Sequence, residues 1–103
     1  MRFYKILISE NAIADLESIY RYVSNVIGEP EIAEKLYAKL KNAILELDFM
    51  PNKHQCVDYE PLKSLGIRRK PVGKHLIYYS VIESVSTVLI MAVNNSSTSK
   101  NRE

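Results

Sequence analysis

Two stretches of helical periodicity, joined at Gly28-Glu29-Pro30, constrain this chain more than any other feature. In the first, apolar residues recur at Ile13, Leu16, Ile19/Tyr20, Val23 and Val26/Ile27, with Asp15, Glu17, Arg21, Ser24 and Asn25 on the other side. In the second they recur at Ala33, Leu36/Tyr37, Leu40, Ala43/Ile44 and Leu47, leaving Glu34, Lys35, Lys39, Lys41 and Glu46 for solvent. Ser9 stands where an N-cap hydroxyl would accept from the first turn, and Gly28 can take the left-handed conformation that ends a helix. Pro30 suits a first helical turn, and Met50-Pro51 stops the second helix. The pattern predicts helices over about 10–27 and 30–49. A connection this short makes them an antiparallel hairpin. Each helix has one apolar stripe, so the pair needs a further surface to cover.

The remaining segments supply that surface as strands. Residues 2–8 are short and rich in aromatic and β-branched side chains. Residues 67–72, 75–82 and 86–93 are separated by a Gly73-Lys74 turn and a Glu83-Ser84-Val85 turn, which predicts antiparallel pairing of three successive strands. Pro71 cannot donate to a ladder, so its strand belongs at an edge or a bulge. Residues 52–66 read as irregular. The order β-α-α-β-β-β predicts an α+β fold: a small, mostly antiparallel sheet with the helical hairpin on one face and the other face partly open. The length of 103 residues fits one domain, placed at 1–93, followed by a polar tail at 94–103 with no apolar residue and no means of packing.

Charge is distributed unevenly. Residues 1–60 carry seven Lys/Arg and ten Asp/Glu, net −3, whereas residues 61–103 carry seven and two, net +5. Lys63, Arg68, Arg69, Lys70 and Lys74 form a stretch without an acid, suited to phosphates or an acidic partner surface, or simply a solvated loop. No apolar run approaches the ~20 residues of a membrane span, so no membrane partner is expected. The start Met-Arg-Phe-Tyr-Lys has no leader-like apolar region, and Cys56 is the only cysteine. A cytoplasmic location is expected. His54, Cys56 and Asp58 alternate as metal ligands might, but no second ligand pair accompanies them, and neither a metal nor another cofactor is expected.

Three stretches carry a family resemblance: Ile8-Ser9-Glu10-Asn11-Ala12-Ile13-Ala14-Asp15-Leu16 through Tyr20, then Phe49-Met50-Pro51, then Gly66-Ile67-Arg68-Arg69-Lys70-Pro71-Val72-Gly73-Lys74-His75 through Val81. In order and spacing they resemble the RelE/ParE toxins of bacterial type II toxin–antitoxin modules, and the ParE, or plasmid-stabilisation, branch more closely. The resemblance spans about residues 2–93. It implies a growth-inhibiting toxin neutralised by a cognate antitoxin. ParE-like members act by binding DNA gyrase; RelE-like members are ribosome-dependent endoribonucleases that cleave mRNA.

After the last strand this chain departs from the family. Ala92, Asn95 and Ser97 stand where members usually have Arg, His and Arg. Cleavage by 2′-hydroxyl attack needs a base, an acid and cations for the charge on phosphorus, and these three residues offer none of them. The departure favours inhibition by binding, and leaves ribonuclease activity or an attenuated toxin as alternatives. Arg68, Arg69, Lys70, Lys74 and Tyr79 are the candidate antitoxin- or target-binding residues. His75, with Arg68, Arg69 and Lys70, is the candidate set for catalysis, although a strand histidine with no visible partner is more often structural. Tyr78 and Tyr79 point to opposite faces of their strand, where core packing is the expected role of both.

Overall fold

The computed structural model describes residues 3–95; the expected tail from residue 96 onward, and residue 2 of the first strand, lie outside them. The elements are β1 (Lys5–Ile8), α1 (Glu10–Arg21), α2 (Pro30–Leu45), β2 (Arg68–Val72), β3 (His75–Ile82) and β4 (Thr87–Asn95). The sheet order is β1-β4-β3-β2, with β1 parallel to β4 and the other two pairs antiparallel. The helical hairpin covers one face, as the order of elements predicts. Ala12 and Leu16 of α1, Leu40, Ala43 and Ile44 of α2, and Ile77, Tyr79, Val88, Ile90 and Val93 of the sheet make that core.

The punctuation residues act as their chemistry dictates. The Ser9 hydroxyl accepts from the Ala12 N–H at 3.0 Å, and Gly28 sits at φ 86°. Pro30 opens α2. Pro71 lies on β2, an edge strand. Arg69 N–H points outward to the Gln55 carbonyl, so Pro71, two residues on, places its missing donor on the same outer side. Phe49-Met50-Pro51 is a latch at the end of the hairpin. The Phe49 ring packs against Phe3 at 5.5 Å between centroids, and the Pro51 carbonyl accepts from the Tyr79 hydroxyl at 2.6 Å.

Three expectations need correction. The first helix does not run regularly to residue 27: Tyr22–Ile27 widens into a π-helical turn with no buried residue, so Val26 and Ile27 leave the core stripe. β4 continues through Asn94 and Asn95, which pair with Leu76 and His75, so these two polar residues extend the ladder through backbone bonds that need no apolar side chain. The second face of the sheet is also less open than the strand pattern implies. The segment after Pro51 folds back over it, and Val57, Ile67, Leu76 and Tyr78 form a second buried cluster with Leu62, Met91 and Ala92 packed against it.

Candidate functional site

The basic residues of the β2–β3 hairpin divide between two faces. Arg68, Arg69 and Lys70 stand opposite Tyr79, Tyr78 and Ile77 in the register. Opposed residues share a face, so Arg68 and Lys70 lie on the helix side and Arg69 lies on the side of Tyr78. Arg68 Nη1 donates to the carbonyls of Asn52 and His54 at 3.1 and 2.6 Å, pinning the loop after Pro51. Lys70 Nζ donates to the Ala43 carbonyl at 2.8 Å and to Glu46 Oε1 at 2.9 Å, meeting the acceptor-rich end of α2. The ammonium on it holds the exposed Glu46 carboxyl below its ordinary range.

Tyr79, expected at a binding surface, is fully buried under the helices. Burial pushes its phenol up to about 12, against the opposing pull of Arg68. It cannot meet a partner in the folded chain. Arg68 and Lys70 are held by internal acceptors, whereas Arg69 is half-buried beside Tyr78 and Lys74 is exposed in the hairpin turn.

On the second face a groove of about 470 Å³ is lined by Tyr59, Pro61, Leu62, Ile67, Tyr78, Met91, Ala92 and Asn94. A β-bulge builds its floor. Tyr78 and Tyr79 pair with Ala92 and Ile90, so Met91 is the extra residue on β4, and it turns onto the same face as Ala92. The displaced Met91 carbonyl is met from α1: the Ser9 hydroxyl donates at 3.2 Å and the Asn11 amide at 3.1 Å. Sequence reasoning missed this groove. The run Val88–Val93 is continuously apolar and carries no sign of a bulge, and the apolar residues of the 57–67 loop follow no period.

The catalytic candidates do not share one face: Arg68, Lys70 and His75 lie on the helix side and Arg69 on the other. His75 pairs with Val72, which packs into the helix-side core, so its imidazole lies on the face opposite Arg69. Burial, then the nearby Lys39 ammonium on α2, lowers its pKa. The other histidine, His54, packs edge-on to Tyr79 at 6.5 Å and keeps its buried Nε2 without a hydrogen-bond partner. Burial lowers its pKa too, followed by repulsion from Lys70, Lys53 and Arg68. Cys56 is exposed and bridges to Arg68 through the backbone, and among the described residues no three His, Cys, Asp or Glu side chains gather where a metal ion could be held. No helix among them is long and apolar enough to cross a membrane. The arrangement offers an apolar groove with a guanidinium beside it, suited to holding a peptide-like partner.

The same fold recurs in solved toxin structures. The "Chromosomal ParDE TA system from P. aeruginosa" superposes with a TM-score of 0.73 at 21% identity, covering 90% of this chain and 96% of that one. The toxin–antitoxin complex RelBE2 from Mycobacterium tuberculosis gives 0.65 at 19% identity over 92% and 93% of the two chains. E. coli toxin RelE, solved as a mutant in the free state, gives 0.60 at 15% over 95% and 88%. No curated protein matches the sequence. The fold is thus that of the RelE/ParE-type toxins. Residues 6–99 match the family described as "ParE toxin of type II toxin-antitoxin system, parDE", and the chain belongs to that family.

Proposed function

We propose that this toxin inhibits growth by binding its target, with DNA gyrase the favoured one, and that a cognate antitoxin neutralises it by occupying the second-face groove. One observation supports binding over RNA cleavage: Arg69, the β2 cation not engaged by the fold among the described residues, lies on the face opposite His75. His75 is on the helix side, Arg69 on the other, and Arg68 and Lys70 are tied to carbonyls of the fold. A phosphate at Arg69 would therefore find no histidine on its own face of the hairpin, where the residue opposite is Tyr78.

The antitoxin assignment is supported by the groove itself. Its lining is predominantly apolar, and Arg69 and Lys74 stand on the hairpin that borders it. A segment with an apolar anchor and a nearby carboxylate would bury the first and pair the second. Two of the structural neighbours are toxin–antitoxin systems, which supports a partner of that kind.

The test is induction in a sensitive host while DNA supercoiling and mRNA integrity are followed together. Loss of supercoiling with intact message supports the gyrase reading. Rapid cleavage of message at ribosomes would replace it with the ribonuclease, and unimpaired growth would mark an attenuated toxin.

A further inference from the structure

A regular α1 would carry its apolar stripe through Val26 and Ile27 into the core. The π-helical turn at Tyr22–Ile27 prevents this. A π turn holds more residues than the 3.6 of an α-helix, so side chains beyond its start rotate off the stripe set by Leu16 and Ile19. Tyr22, Val26 and Ile27 are 56%, 69% and 56% exposed, and Ile32 in the first turns of α2 is 53% exposed. Four large apolar side chains thus stand in solvent at one end of the hairpin. Such π turns concentrate at functional positions, and exposed apolar clusters mark interaction sites.

We propose that the tip of the helical hairpin is a docking surface for a basic amphipathic segment of a partner protein. Charge selects this occupant. From Tyr22 to Glu34 the chain has three glutamates and no Lys or Arg, and Glu29 and Glu31, both exposed, flank the apolar side chains. A second copy docking through the same patch would bring these carboxylates against their own copies, because a two-fold interface sets each patch on itself. Nucleic acid and anionic membrane surfaces meet the same repulsion. A helix with Leu, Ile or Val on one face, edged by Lys or Arg, covers the apolar residues and pairs the glutamates. The tip belongs to the helical layer, whereas the groove lies on the other face of the sheet beside Arg69. The toxin therefore has two apolar surfaces on different layers, one flanked by Glu29 and Glu31 and one beside Arg69, able to hold two different partners.

The test uses the whole chain and needs no knowledge of the natural partner. An 18-residue amphipathic Leu/Lys peptide, and a Leu/Glu peptide of the same pattern, are titrated into ¹⁵N-labelled protein. The Leu/Lys peptide is expected to shift amides of residues 20–34 and to weaken steeply as salt rises; the Leu/Glu peptide leaves them unchanged. Val26→Ser/Ile27→Ser and Glu29→Gln/Glu31→Gln, at exposed positions that leave the fold intact by circular dichroism, each weaken binding about 10-fold. Shifts confined to the sheet face, equal binding of both peptides, or no binding would overturn the proposal. So would a wild-type dimer in sedimentation that Val26→Ser/Ile27→Ser disperses, since it would assign the patch to a second copy.

Discussion

The Asp15 carboxylate accepts from the Val93 N–H at 2.9 Å, tying the second turn of α1 to the part of β4 that runs on beyond β1. β1 ends its pairing at Ile8 opposite Ile90, so the outer edge of β4 from Met91 onward has no neighbouring strand. Side chains from the start of α1 take that place: Ser9 and Asn11 at the Met91 carbonyl, Asp15 at the Val93 N–H. The spacing Ser9-x-x-Ala12-x-x-Asp15-Leu16 thus has a structural explanation. Ser9 caps the helix, Ala12 and Leu16 are buried, and Asp15 closes the sheet edge. Asp15→Ala should cost about 1–3 kcal/mol in urea unfolding, because Val93 N–H loses its acceptor in a partly buried site. Asp15→Asn, which keeps an acceptor oxygen, should cost less.

Tyr79→Phe removes the 2.6 Å bond to the Pro51 carbonyl and leaves that acceptor buried. A loss of about 1–2 kcal/mol is expected, lowering the melting temperature by roughly 4–8 °C per kcal/mol in a domain of this size. Alkaline ultraviolet titration of the wild type should show one tyrosine ionising only near pH 12. Stability from its neutral phenol is present in full below the unfolded value of 10.0 and is lost as pH rises from there. Antitoxin capture should be unchanged by the substitution.

His54 makes the fold sensitive to mild acid. Its pKa is below 6.5 in the folded chain, so the unfolded chain takes the proton more readily. Its contribution to the unfolding free energy should be flat well above pH 6.5 and fall as pH drops below it. His54→Phe keeps a ring edge-on to Tyr79 and removes the unpartnered nitrogen, so it should reduce that slope between pH 7 and 5. Adding His75→Leu should reduce the slope further, since His75 is shifted the same way, and the part that persists toward pH 5 belongs to carboxyls such as Glu46. A slope unaffected by His54→Phe would contradict the assignment.

Adjacent arginines should behave differently. Arg68→Gln removes the donor to two loop carbonyls and should lower stability by about 1–3 kcal/mol. Arg69 makes no side-chain hydrogen bond or ion pair among the described residues. Arg69→Glu should leave the melting temperature within a few degrees of wild type and weaken antitoxin binding at least ~10-fold, as charge reversal at an interface does. Calorimetry on the co-expressed pair separates the two effects.

Much of this architecture is legible in residue order. Helix limits at Ser9, Gly28 and Pro30 and the edge position of Pro71 follow from local backbone chemistry, which acts wherever those residues fall. The π turn at Tyr22–Ile27 was not legible, because the apolar spacing there suits an α-helix equally well. Nor was the division of labour in Arg68-Arg69-Lys70. Alternation put neighbouring residues on opposite faces, but nothing local told which cations would find the carbonyls of Asn52, His54 and Ala43, 14 to 27 residues away in sequence. The groove required a bulge at Met91 and a loop folding over it, both products of tertiary packing.

The most direct measurement of how the toxin acts is plasmid supercoiling by purified DNA gyrase, with wild type and His75→Ala titrated side by side, and message on translating ribosomes assayed in parallel. Inhibition by binding predicts that both proteins block supercoiling at similar concentrations and that both leave the message intact. Unaffected gyrase, with message cleaved by wild type and spared by His75→Ala, would contradict it.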